Sequence, residues 1–352
     1  MLKNELDYNK IAVYNPILFD ASCSGIQHLS ALTREVEIAK KVNVISEANE
    51  PYDEKPGDFY SYAANLIQEK LNKTEELNNI KLNRSVIKKT VMTIPYNISL
   101  TGVGDQLKDH FKFITDLNGQ YLIEIKPEQT KNNKTLFLLP KQFGLLTKII
   151  FVTLTKELPS LNSLTNYLNN LVNVLLVLNK PIIWITPNGL TINLSTVKYD
   201  QIRTTSRLIP SSNPVTITLP TDKLNKVKIK RSFMPNLIHS LDAANIHLFI
   251  KKISNMPIYT IHDCFASLPN NMNILEILVK QAFIEIYFKD GNYLKTMHDH
   301  ILKQIYSYTD VMINSKGEEY IKVNGKDYVI PQIPNSFLDN KVMNEFIKGL
   351  QN

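Results

Sequence analysis

The sequence predicts an α/β chain: short strands near its start and beyond residue 257, separated by a long, mostly helical stretch. Three observations carry this. An apolar run from Ile11 to Phe19 stops at Asp20, as a buried strand stops at a turn. Residues 257–268 (PIYTIHDCFASL) divide into two short β-rich runs around His262-Asp263. The long stretch between them is dominated by segments with helical spacing of apolar residues.

In chain order, residues 21–34 read as a polar turn and a helix. Residues 46–58 (SEANEPYDEKPGD) are acidic, carry two prolines and read as a loop. Residues 59–71 and 80–94 have helical character, and 101–135 mix Gly, Asn and Lys as a loop-rich insertion would. Residues 141–157 and 161–178 are apolar enough to be packed helices. Residues 181–190 (PIIWITPNGL) read as strand, turn and strand around Pro187-Asn188-Gly189. Residues 215–219 (VTITL) and 226–230 (KVKIK) both alternate and flank a turn-like PTDKLN, which predicts a hairpin. Its second strand would put Lys226, Lys228 and Lys230 on one face and Val227 and Ile229 on the other. Residues 236–253 predict a helix, and no internal repeat is present.

Composition narrows the class. A chain of 352 residues with 43% hydrophobic and 21% charged residues can bury a substantial core and is not compositionally disordered. Two cysteines exclude a disulfide scaffold and a cysteine-rich zinc site. No apolar run is long enough for a membrane helix. The opening MLKNELDYNK carries Glu5 and Asp7, unlike a secretory signal or an acid-poor transit peptide. The net charge of +7 permits an anionic partner. Arginine occurs only 5 times against 35 lysines, so each arginine is a stronger candidate for a specific role.

Two carboxylates stand out by context. Asp20 closes ILFD, and Asp263 sits at the strand turn of IYTIHDCF. Either alone could be a turn former or a helix cap. Together they would suit a hard cation, because Mg²⁺ commonly takes one or two protein carboxylates and completes its shell with water and substrate phosphates. In LNRSVIKKTVMTIPYN, Arg84 and Lys88 lie four apart and share a helical face. That face is either a solvated charged surface or a clamp for a polyphosphate. Tyr96 follows, just after Pro95, where a tyrosine is more often a core residue than a contact.

Taken in order, DASCSGIQHLSAL, RSVIKKTVMTIPY, MPNLIHSLD and IHDCF resemble the palm and fingers motifs of the single-subunit DNA-directed RNA polymerases of bacteriophages, mitochondria and mitochondrial linear plasmids. The resemblance runs from about Asn15 to at least Leu268. It implies a polymerase right-hand fold, with a small antiparallel palm sheet and a large, mostly helical fingers insertion: palm at 1–48 and 240–352, with the C-terminal extension included, and fingers at 49–239. It implies that Asp20 and Asp263 bind two catalytic Mg²⁺ ions, with the Ala21 carbonyl as an extra ligand. Such ions stand about 3.5–4 Å apart and act on the attacking and leaving oxygens. Arg84 and Lys88 resemble the residues that bind the incoming triphosphate. Tyr96 and His239 resemble the pair that selects ribose, and His262 resembles the supporting histidine before the second aspartate. The basic stretch around 203–231 corresponds to a hairpin that touches promoter DNA, which nominates Arg203, Arg207, Lys226, Lys228, Lys230 and Arg231 for nucleic-acid contact.

The implied partners are a DNA template, the RNA transcript and ribonucleoside triphosphates, with no membrane. The implied location is the mitochondrion, encoded in the organelle or on a plasmid. Family members carry several hundred residues before the first aspartate, so the resemblance implies a chain without the N-terminal domain and thumb, to which a separate chain would supply them. A non-catalytic nucleic-acid-binding remnant is the alternative. A DNA polymerase fits less well, since those enzymes typically place a Glu in the first motif and ASCSGIQH has none. Cys264 replaces a more usual serine, Asn97 stands where glycine is usual, and Pro95 stands where a small residue is usual.

Overall fold

The computed structural model describes residues 14–45, 56–205, 214–289 and 291–351. It opens with β1 (Ile17–Asp20), α1 (Ser24–Thr33), α2 (Val36–Lys41), α3 (Phe59–Asn72), α4 (Arg84–Thr93) and α5 (Leu100–Leu107). There follow β2 (Lys112–Thr115), β3 (Tyr121–Ile125), β4 (Leu136–Leu138), α6 (Pro140–Glu157) and α7 (Pro159–Val177). Next come β5 (Ile182–Ile185), β6 (Thr191–Leu194), β7 (Val197–Thr204), β8 (Val215–Leu224) and α8 (Lys226–Lys252). The chain closes with β9 (Ile258–Ile261), β10 (Cys264–Ser267), α9 (Met272–Phe288), α10 (Tyr293–Tyr308), β11 (Met312–Ile313), β12 (Glu319–Val323), β13 (Lys326–Val329) and α11 (Asn340–Gln351). The result is a mixed fold of helices and small antiparallel sheets.

The sheet that matters most has the order β1-β10-β9. Its strands come from two widely separated stretches, β1 near the start and β9 and β10 at 258–267, so the helical insertion lies between them in sequence. Leu18 faces Ala266, Phe19 faces Phe265, and Asp20 faces Cys264. Phe265 is buried and meets the buried Phe249 of α8 edge-on, with ring centroids 4.8 Å apart. One face of this sheet therefore rests on α8 and α9.

Helix α8 is the spine of the core and packs against α1, α7 and α9. Ile229, Phe233, Leu237, Leu241, Ala244 and Leu248 recur at helical spacing and are all buried. The one tryptophan, Trp184 of β5, is fully buried, packs edge-on against Phe233 and donates its indole N–H to Ser240 Oγ at 3.2 Å.

The abundance of asparagine has a structural use. With few glycines in the chain, Asn43, Asn97, Asn133, Asn179, Asn255 and Asn324 occupy left-handed positions. Asparagine tolerates that region better than most side chains.

Three expectations need correction. The run ending at Asp20 is not a buried strand over its described part. β1 is an edge strand, and Leu18 is 62% exposed, so an apolar run did not mean burial on both faces. Residues 101–135 are not loop-rich. They hold most of α5 and the paired strands β2 and β3, which β4, just beyond them, extends to a three-stranded sheet. Gly102 and Gly104 suggested a loop but lie within α5, which Ser99 caps by accepting from the Gly102 N–H.

The third correction concerns the hairpin. β8 pairs with β7, with Arg203 opposite Thr216 and Ile202 opposite Ile217. PTDKLN supplies the end of β8 rather than a turn, and Lys226, Lys228 and Lys230 begin α8. Asn225 caps that helix by accepting from the Lys228 N–H. Five alternating residues fit either period, and the buried stripe that starts at Ile229 decides for the helix.

Candidate active site

Asp20 is the last residue of β1 and stands opposite Cys264, the first residue of β10. Asp263 immediately precedes Cys264, in the two-residue turn that joins β9 to β10. The other residue of that turn, His262, has φ 51°, a left-handed position open to few non-glycine residues. The register therefore brings both aspartates to one end of the sheet. Burial pushes the Asp263 carboxyl above its usual range, and the charges of Asp242 and Asp20 push in the same direction. Ala21 follows Asp20 directly and is half-buried.

A second group surrounds this end. Ser24, at the start of α1, acts on the Tyr96 phenol and on the carboxylates of Asp242 and Asp263, favouring the ionised form of each. Asp242 lies on α8 one turn beyond His239. Burial would push its carboxyl up, but His28, His239 and Ser24 together outweigh that and hold it below the ordinary range. The His28 Nε2 lies 2.7 Å from Asp242 Oδ1. The His28 Nδ1 lies 2.5 Å from the hydroxyl of Tyr287 on α9.

Tyr96 and His239 meet, with ring centroids 4.9 Å apart. Burial pushes the Tyr96 phenol up to about 12, with the charge of Asp242 the next cause. Tyr96 ends a short 3₁₀ turn, 94–96, that continues from α4. Asn97 supplies the left-handed stop at φ 60°, so Asn serves where glycine was expected. Pro95 sits in that turn after α4 has ended and breaks none of its ladder. Gly25 is required here. A Cβ at that position would lie 3.1 Å from Pro95 Cβ and 3.4 Å from the Tyr96 hydroxyl.

Arg84 and Lys88 share an exposed face of α4, whose N-terminus Asn83 caps. Both approach the ring of Tyr60, the guanidinium carbon at 5.0 Å and the ammonium at 5.8 Å from its centroid. Arg84 Nε also donates to Asp58 at 2.7 Å. Tyr60 is buried in α3, and the buried Cys23 thiol acts on its phenol. Burial pushes that phenol well up, and the charges of Cys23, Arg84 and Asp263 all reach it. Tyr60 thus links the Arg84–Lys88 face to the aspartate end of the sheet.

The nominated basic residues are dispersed. Arg203 is exposed on β7, Lys226, Lys228 and Arg231 are exposed near the start of α8, and Lys230 is half-buried beside Asn173. Arg207 lies outside the described residues.

The family model for DNA-dependent RNA polymerase matches residues 2–331. This chain belongs to that family. A probable DNA-directed RNA polymerase of Agaricus bitorquis is 44% identical over 97% of this chain and 34% of its own length. A probable DNA-directed RNA polymerase of Neurospora crassa is 33% identical over 82% of this chain and 33% of its own length. The mitochondrial DNA-directed RNA polymerase 1 of Nicotiana sylvestris is 24% identical over 78% of this chain and 26% of its own length. The chain thus spans about a third of the length of the RNA polymerases it matches.

Sequence reasoning about this member of the RNA polymerase family missed Ser24, His28, Tyr60 and Asp242. A signal was present for three of them. Ser24 and His28 lie four apart in SGIQH, and Asp242 lies three beyond His239, so each pair shares a helical face. No comparable spacing marks Tyr60. No helix among the described residues is long and apolar enough to cross a membrane.

Proposed function

We propose that these residues form the nucleotide-transfer centre of a DNA-directed RNA polymerase, adding ribonucleotides to an RNA 3′ end on a DNA template. The observation that carries the reading is the pairing of β1 with β10, which sets Asp20 beside Asp263. In this reading β1, β9 and β10 belong to the palm, and 49–239 to the fingers of a right hand. The proposed boundary at 239/240 then falls inside α8.

The donor set fits a pair of Mg²⁺ ions. Crowded carboxylates resist joint ionisation, as the raised Asp263 carboxyl reflects, and a cation relieves that. Among the described residues no three His, Cys, Asp or Glu groups converge as a closed metal cage. A site completed by substrate phosphates needs none. Asp20, Asp263 and the Ala21 carbonyl would hold the ions. Bound there, the ions would neutralise charge on the attacking and leaving oxygens. Phosphoryl transfer otherwise asks mainly for positioning. Lys88 and the Nη groups of Arg84 would grip the triphosphate, while Asp58 engages Arg84 Nε. Tyr96 and His239 would meet the ribose, whose 2′-hydroxyl both donates and accepts. His262 would support by shaping the Asp263 turn. Arg203, Lys226, Lys228, Lys230 and Arg231 would contact nucleic-acid phosphates, together with Arg207. The mitochondrial relatives favour a mitochondrial location.

The test is extension of an RNA primer pre-annealed to a DNA template, with Mg²⁺ and ribonucleotides. Wild type should extend the primer and Asp20→Asn should not. Equal extension by both would defeat the proposal. Lys88→Ala should weaken triphosphate binding by about tenfold or more, the value of a charge-assisted hydrogen bond. Template binding should change far less. Equal losses, read by titration of labelled triphosphate and of labelled template, would reduce Lys88 to general electrostatics.

A further inference from the structure

Asp242 is the one carboxylate of the aspartate cluster with a committed histidine partner. His28 Nε2 lies 2.7 Å from it, and the His28 ring is 2% exposed. An ionised carboxylate only accepts, so Nε2 carries the proton and donates. In the neutral ring Nδ1 then accepts from the Tyr287 hydroxyl at 2.5 Å, a phenol that burial keeps protonated. Phe283 stacks against the ring at 5.4 Å between centroids. The imidazole is thus fixed on α1 by contacts from α8 and α9.

Both ends of this network lead to the site. On α1, His28 is one turn from Ser24, whose side chain acts on Asp242, Asp263 and Tyr96. On α8, Asp242 is one turn from His239, the ring that meets Tyr96. Among the described residues these carboxylates do not close into a metal cage of three or more ligands, and Asp242 is held by His28 instead.

We propose that Asp242, held by His28, is a positioning residue that sets His239 and Tyr96 relative to the two aspartates, and so governs the preference for ribose over deoxyribose. This rests on the nucleotide-transfer reading above. Asp242 touches no reacting atom in it. It works because a buried pair with satisfied partners has one favoured geometry, and residues supporting a site affect activity by about 10–100-fold when removed.

Asp242→Asn keeps the size of the side chain and removes its charge. Two measurements test it. The first is the ¹⁵N spectrum of labelled histidines, which needs no turnover. Asp242→Asn should shift the ring signals of both His28 and His239. The ring of His298, paired with Tyr167, should stay in place and certify the fold. A shift at His28 alone would overturn the proposal. The second is the ratio of ribonucleotide to deoxyribonucleotide use on the pre-annealed scaffold. Asp242→Asn should lower it by about tenfold, as Tyr96→Phe should, and the loss should appear in discrimination rather than in scaffold affinity. An unchanged ratio beside active wild type would also overturn it. Absence of extension by wild type would count against the nucleotide-transfer reading, and the histidine spectrum would still decide the positioning claim.

Discussion

Asp263→Asn is expected to abolish nucleotide transfer and, at neutral pH without divalent metal, to raise the melting temperature. The two effects have one cause. Burial and the charges of Asp242 and Asp20 hold the Asp263 carboxyl above its unfolded value. A carboxyl raised in this way binds protons more readily in the folded state. Its favourable contribution is complete below the unfolded value, near 3.8, and is lost as pH rises through the higher folded value. At neutral pH the ionised group therefore strains the fold, and asparagine removes the strain. Mg²⁺ should stabilise wild type by mass action and the variant much less. Losing a metal-held carboxylate should cost several kcal/mol of transition-state stabilisation, about three orders of magnitude in rate. Thermal melts with EDTA and with graded Mg²⁺, beside primer extension, check both halves. A variant that melts lower than wild type in EDTA, and gains as much from Mg²⁺, would show that Asp263 serves the fold instead of the ions.

How much of this site was legible in the sequence depended on where each residue's partners lie. Asp20 and Asp263 were readable because each ends or turns a short strand, and the strands pair. Arg84 and Lys88 were readable because a helical face is a local property. Tyr60 was not, because its ring meets Arg84 and Lys88 of α4, contacts that only tertiary packing creates. Asp242 lay in full view within MPNLIHSLD, but its partner His28 stands on a distant helix, and nothing local says so. The misreading around Lys226 has another origin. Alternation over KVKIK satisfied a strand, while the buried helical stripe starts only at Ile229, near the end of that run, and extends to Leu248. In β1 the apolar run described composition correctly and burial wrongly, because among the described residues β1 lies at the edge of its sheet and all four of its residues are exposed.

Phe249→Ala should be the most damaging single substitution in the core beneath the site. Phe249 is fully buried on α8, and its ring meets Phe265 edge-on at 4.8 Å. Phe265 stands in β10 two residues after Asp263, with Phe19 of β1 and Thr260 of β9 as its register partners. The ring of Phe249 thus supports the centre of the sheet whose end carries both aspartates. Truncation removes an aromatic side chain from a closed core, and such changes cost about 3–5 kcal/mol. That is a large share of the roughly 5–15 kcal/mol by which domains are stable. Phe249→Leu should cost far less, because it retains most of the volume and loses mainly the edge-on contact, worth about 0.5–1.5 kcal/mol. Urea unfolding of the three proteins separates these effects through the midpoint at constant slope. The site should feel the loss as well. With the inner face of β10 uncovered, Asp263 should be held less firmly against Asp20, and the stabilisation gained from Mg²⁺ should shrink in Phe249→Ala and persist in Phe249→Leu. A cost below about 1 kcal/mol for the alanine variant, outside the range for such truncations, would mean that the sheet does not depend on α8 for its support.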